Sequence, residues 1–258
     1  MRRIALVVVL VLAGCGGTPQ GPAVTAPSSA KTAQAAPGPT DRRCADPELN
    51  DKQVAFPGTG GHLTGLLLGT GGTVLVLAPQ ASADACSWLS WAKQEAAAGF
   101  RVLAFDFSGE GRSQRGSGTR PSDDVLSAVA YTRTLQGVRR IVLVGASRGG
   151  TAVLVAAAAA TPPVTAVVSL SAPDTYAGED AAAAVPKIAA PVLFVAATGE
   201  SSFAAAAQTM YDATTDPRRR IALVPGSLHG TSLLTIAADG APEAAAAVTG
   251  FLAANAAA

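Results

Sequence analysis

From residue 53 onward, apolar and polar positions alternate between two periods. Residues 53–56 and 62–68 read as a strand pair around a turn rich in Pro57, Gly58, Gly60 and Gly61. Residues 73–78 form a short continuous apolar run, the pattern of a strand buried on both faces of a parallel sheet. Over residues 85–98 the period becomes helical. Trp88, Leu89, Ala92 and Ala96 share one face, and Gly99 stands where a C-terminal cap belongs. Residues 101–105 read as the next strand.

Ser122 is expected to cap a following helix, with Asp123 and Asp124 in its first turn, where the helix dipole favours acids. Strands are then expected at residues 141–144, 164–170, 191–196 and 220–224. Helices are expected at residues 148–160, 203–212 and 242–254. Strands alternating with helices at this spacing imply one α/β domain. Its sheet is doubly wound and mostly parallel, with helices on both faces. The domain is expected to span residues 44–258. The interval between Leu170 and Pro191 is short, which leaves no room for a large lid.

The N-terminus has a different pattern. Met1-Arg2-Arg3 precedes an apolar run that ends at Leu12-Ala13-Gly14-Cys15, too short to span a bilayer as a mature helix. It resembles the lipobox of bacterial lipoproteins. Residues 1–14 are therefore expected to be a signal peptide, cleaved before a lipidated Cys15. Residues 15–43 are mostly Gly, Pro, Ser, Thr, Ala and Gln, which bury too little surface to offset their ordering entropy. They are expected to be a flexible tether. The expected location is extracytoplasmic, at a membrane held through the lipid on Cys15.

Composition narrows the chemistry. The 258 residues carry a formal net charge of +1 and no basic stripe, so a nucleic-acid partner has no electrostatic footprint. There are two histidines, His62 and His229, which argues against a metal site built on several histidines. With Cys15 lipidated, Cys44 and Cys86 remain, and outside the cytoplasm they are expected to pair as a disulfide.

In a parallel sheet, ligands collect at the carboxyl ends of the strands. There the strand at residues 141–144 runs into Gly145-Ala146-Ser147-Arg148-Gly149 and directly into a helix. This is G-x-S-x-G in the setting of a nucleophile elbow. Ser147 is the candidate nucleophile, and the Arg148 backbone N–H is a candidate oxyanion donor. A serine hydroxyl needs an adjacent base, and His229 follows the last strand, where a loop can lay an imidazole over the sheet top. His62 belongs to the early strand pair and reads as structural or exposed. The orienting carboxylate is expected to be Glu200, with Asp174 as the alternative. Asp212 and Asp216 read as helix-end and turn residues. A second oxyanion donor is expected from the backbone of Gln80, since Pro79 has no N–H.

These pieces, with Asp106-Phe107-Ser108-Gly109-Glu110-Gly111-Arg112-Ser113, resemble the α/β-hydrolase superfamily from residue 53 to residue 254. The resemblance implies a structural role for Asp106, outside the triad. The chain departs from many members in carrying Ala78-Pro79 in place of His-Gly, and Glu200 in place of Asp. It implies a serine hydrolase that needs no cofactor and acts on a carboxylic ester through an acyl-enzyme. An open site suits a small-molecule ester or a polymer end. The alternatives are a catalytically silent binding protein on the same fold, or a peptidase or thioesterase sharing the triad.

Overall fold

The structure, a computed structural model, describes residue 44 and residues 47–257. The expected signal peptide, Cys15 and the tether lie outside the described residues. A 3-10 turn, Pro47–Lys52, leads into β1 (Gln53–Gly58) and β2 (Gly61–Leu68), followed by β3 (Thr73–Ala78). The predicted helix after β3 divides into a 3-10 turn, Ala85–Trp88, and α1 (Leu89–Ala97). Next come β4 (Arg101–Phe105), α2 (Pro121–Thr134), β5 (Arg140–Ala146), α3 (Arg148–Ala159) and β6 (Ala166–Leu170).

The excursion after β6 holds a two-stranded ribbon, β7 (Thr175–Tyr176) and β8 (Glu179–Asp180), and the single turn α4 (Ala181–Ala184). The rest is β9 (Val192–Ala197), α5 (Ser201–Ala213), β10 (Arg220–Val224), the short α6 (Ser232–Thr235) and α7 (Ala241–Asn255). No large lid is present among the described residues, and none of their helices is long and apolar enough to cross a membrane.

Among the described residues the main sheet has eight strands in the order β1-β2-β4-β3-β5-β6-β9-β10. Only the β1–β2 and β2–β4 pairs are antiparallel; the others run parallel. Side chains alternate across the central strands, so one apolar run feeds two cores. On β3, Val74, Val76 and Ala78 join the core under α2, α3 and α5, while Leu75 and Leu77 join the one under α1 and α7. Both faces are therefore covered, which is why these strands read as unbroken apolar runs rather than alternating ones.

Two expectations need correction, and one element was not expected. Ser122 is not the cap of α2. The helix begins one residue earlier at Pro121, whose fixed φ and missing N–H suit the first turn. Arg120 is the cap, and the Asp123 carboxylate accepts its backbone N–H at 3.1 Å. Ser122 is buried instead, its N–H donated to Glu179 Oε1 at 2.7 Å. The strand expected from residue 164 starts at Ala166, although Thr165 N–H already donates to Ile141 O of β5 at 2.8 Å. The short helix α6 lies in a segment that carries no helical period of its own.

Cys44 and Cys86 form a disulfide with Cα atoms 5.5 Å apart. It ties the start of the described chain to the turn that follows β3. Asp84 caps that turn by accepting the Cys86 N–H at 3.0 Å.

Candidate active site

Ser147 sits between β5 and α3 at φ 51° and ψ −118°. A residue with a Cβ held there stores on the order of 1–3 kcal/mol of backbone strain. Two glycines make the turn possible. A Cβ on Gly145 would lie 2.1 Å from Gly149 O, and one on Gly149 would lie 2.3 Å from Ala78 O. The elbow is thus packed directly against the end of β3, from which the Gln80 loop departs. The Ser147 N–H is anchored to Leu170 O at 2.7 Å. Among the described residues Ser147 Oγ makes no hydrogen bond, and neither do the backbone N–H groups of Gln80 and Arg148.

His229 lies on the loop between β10 and α6. Its neighbour Gly230 has φ +55°, and a Cβ there would be 3.4 Å from Ala146 Cβ, beside Ser147. The loop after β9 runs alongside this one: Thr198 N–H donates to Val224 O and Gly199 N–H to Gly226 O, both at 2.8 Å. That pairing carries Glu200 to the imidazole. His229 Nδ1 is 2.9 Å from Glu200 Oε1 and 3.0 Å from Oε2. Phe203, from the first turn of α5, packs its ring 4.6 Å from the imidazole.

Of the two candidate carboxylates, the structure brings Glu200 to His229 and leaves Asp174 out. Asp174 is exposed, and its backbone carbonyl accepts the Ala181 N–H at 2.8 Å. His62 stays on β2, exchanging hydrogen bonds with Gln114 through its backbone. Asp216 forms a turn with Arg218, whose side chain holds its carboxyl below the usual range.

Two residues expected to contribute only backbone N–H groups also bring their side chains to the site. Arg148 is 8 % exposed and makes a two-pronged ion pair with Glu110, at 2.6 and 2.5 Å. Its guanidinium lies 4.4 Å over the Phe107 ring. The second joining side chain is that of Gln80, whose Oε1 accepts from both the N–H and the hydroxyl of Thr231. Neither contact has a local sequence signal, since each joins loops far apart in the chain.

Asp106 lies below the site as a structural hub. Its carboxylate accepts the N–H groups of Ala85 at 2.8 Å and Arg112 at 2.9 Å, and the Thr64 hydroxyl at 3.0 Å. Burial pushes its pKa up, and these three bonds oppose the shift. Nearby, burial pushes Asp124 up to about 6, although its Oδ2 accepts the Ser108 N–H at 2.8 Å. No group of three or more His, Cys, Asp or Glu side chains among the described residues is arranged to hold a metal ion.

A parallel sheet with an antiparallel start, a strained serine at a strand-to-helix turn, and a histidine–carboxylate pair on the last loops are now assembled. A family profile described as alpha/beta hydrolase fold matches residues 73–188. The chain is an α/β-hydrolase-fold protein. Several solved structures superpose on it. A dienelactone hydrolase from Anabaena variabilis is 20 % identical with a TM-score of 0.65, and covers 78 % of this chain and 96 % of its own. Est1E from Butyrivibrio proteoclasticus is 15 % identical with a TM-score of 0.62, over 78 % of this chain and 98 % of its own. A monoacylglycerol lipase from Paleococcus ferrophilus is 17 % identical with a TM-score of 0.62, over 74 % of this chain and 98 % of its own. No curated protein sequence matches this α/β-hydrolase-fold chain.

Proposed function

We propose that this protein is a serine hydrolase acting on carboxylic esters, with Ser147 as nucleophile, His229 as general base and Glu200 as the orienting acid. One observation supports the reading above the rest: His229 Nδ1 is held by Glu200 at 2.9 Å while its loop packs against the Ser147 elbow. A carboxylate on Nδ1 leaves Nε2 as the ring nitrogen free to take a proton.

In the proposed route His229 Nε2 removes the Ser147 proton as Oγ attacks the ester carbonyl. The N–H groups of Gln80 and Arg148 stabilise the oxyanion. The intermediate collapses as His229 returns the proton to the departing alcohol. Water, activated by the same imidazole, then releases the acid and regenerates Ser147. The short β7–β8 excursion leaves the site open, which suits a small ester or a polymer end. Peptidase and thioesterase activity would use the same three residues.

The test is labelling by a fluorophosphonate probe, with burst kinetics on p-nitrophenyl acetate. The parent should label and give one equivalent of burst, whereas Ser147→Ala and His229→Ala should do neither. A folded parent that stays unlabelled would replace this reading with that of a non-catalytic binding protein.

The same proposal includes export and anchoring through a lipid on Cys15. Metabolic labelling with a fatty acid should mark the parent and not Cys15→Ser; equal labelling of both removes the anchor from the proposal.

A further inference from the structure

We infer that the Gln80 side chain is a positioning residue, locking the His229 loop to the oxyanion loop so that base and oxyanion donors keep one register over Ser147. The inference rests on the serine-hydrolase reading, in which Gln80 contributes only its backbone N–H.

The three amides after His229 are all held. Gly230 N–H donates to Ser171 Oγ at 3.2 Å, Thr231 N–H to Gln80 Oε1 at 3.0 Å, and Ser232 N–H to His229 O at 3.1 Å. The Thr231 hydroxyl adds a second bond to the same Gln80 oxygen at 3.2 Å. Two of the anchors therefore come from other loops, at the ends of β6 and β3. Ser171 is fully buried, and Thr231 is 5 % exposed, so water is a poor substitute for either partner.

The close approach is built into the backbone. At Gly230 a Cβ would lie 2.3 Å from Gln80 Oε1, so the absence of a side chain there is what lets the amide reach Thr231. Gln80 is itself fixed from its other end. Its carbonyl accepts the Ala83 N–H at 3.2 Å and lies 3.5 Å from Arg148 Nη2. One residue thus spans the oxyanion loop, the helix behind the nucleophile and the base loop. A shift of the base of about 1 Å can cost on the order of a hundredfold in rate, so this bridge has catalytic leverage without touching substrate.

The experiment compares the full chain with Gln80→Met and Gln80→Glu. Met keeps the length and the backbone N–H but removes the amide acceptor, and Glu keeps an oxygen acceptor. Three quantities are read: kcat and KM on p-nitrophenyl acetate, melting temperature, and hydrogen exchange at the Thr231 amide. In Gln80→Met we expect kcat to fall about tenfold to hundredfold with KM within about twofold, and Thr231 exchange to accelerate. In Gln80→Glu we expect Thr231 protection to return and most of kcat with it.

Unchanged kcat and unchanged Thr231 exchange in Gln80→Met overturn the inference, as does equal loss in both variants with Thr231 still protected. Should Gln80→Met not fold, Gln80→Asn carries the test, because it keeps the amide but is one methylene too short to reach Thr231. The same losses support the bridge, and parental behaviour overturns it. A parent without Ser147-dependent turnover, but with Thr231 exchange accelerated in the variant, retracts the hydrolase reading and leaves the bridge standing. A turning-over parent whose Thr231 amide ignores residue 80 does the reverse.

Discussion

Both carboxylate oxygens of Glu200 lie within hydrogen-bond distance of His229 Nδ1, at 2.9 and 3.0 Å. The contact depends on the length of the Glu side chain, since residue 200 caps α5 and its backbone is committed to that turn. Glu200→Gln should keep the geometry but remove the charge that stabilises the imidazolium. A kcat loss of about a thousandfold or more is expected, by analogy with neutralising the acid of other serine triads. Glu200→Asp, one methylene shorter, should lose about tenfold to hundredfold. Steady-state kinetics on p-nitrophenyl acetate checks both, and a Gln variant within about threefold of the parent would remove Glu200 from the proposed triad.

Arg148 is buried at 8 % exposure, with Glu110 as its countercharge. Glu110→Gln leaves that guanidinium without an anion and should cost about 2–3 kcal/mol in urea denaturation, just under the range for breaking a fully buried pair because Glu110 is partly exposed. Arg148→Met with Glu110→Leu replaces both partners by apolar groups and should be far closer to the parent than the single change. Additivity of the two single changes would show that the pair is not coupled.

Asp124 links stability to pH. Burial raises its carboxyl from 3.8 to about 6, so the folded chain binds more protons than the unfolded chain between those values. Stability should therefore be fully present below about pH 4 and decline as pH rises to about 6, by an amount on the order of 3 kcal/mol for this group alone. Asp124→Asn should remove that decline, so that it gains on the parent at pH 8 but not at pH 4. Urea midpoints at the two pH values check the sign. An Asn variant with the parental pH dependence rejects Asp124 as the source.

The Cys44–Cys86 disulfide closes a loop with a sequence separation of 42. Chain-entropy reasoning assigns such a crosslink about 3–4 kcal/mol. Cys44→Ser with Cys86→Ser should lower the melting temperature by roughly 6–16 °C, following the usual scaling for chains of this size. Because Cys86 lies just beyond the Gln80 loop, the loss should be accompanied by a fall in kcat on p-nitrophenyl acetate, under the proposed function, measured well below the new melting temperature. An unchanged kcat would confine the disulfide to a stabilising role.

The sequence by itself determined the order of the main-sheet strands and the longer helices, because apolar period is a property of neighbouring residues and survives in the linear chain. It also determined the elbow, since Gly145, Ser147 and Gly149 act within one turn. It located His229 as the histidine that follows the last strand. Where side chains compete for a local role, legibility ended: Ser122 reads as a cap, yet Pro121 begins the helix and Arg120 caps it.

Only the tertiary structure decided which carboxylate meets the imidazole. Glu200 and Asp174 both follow parallel strands, and the sequence expectation of Glu200 rests on which loop it occupies, with no sign in its flanks of a contact to His229. The choice is made by the hydrogen bond from Gly199 N–H to Gly226 O, which lays the β9 loop beside the β10 loop while Asp174 is turned into the β7–β8 excursion. The Arg148–Glu110 pair and the reach of Gln80 to Thr231 were hidden for the same reason. They join residues 38 and 151 positions apart respectively, and only the assembled sheet brings their loops to one edge.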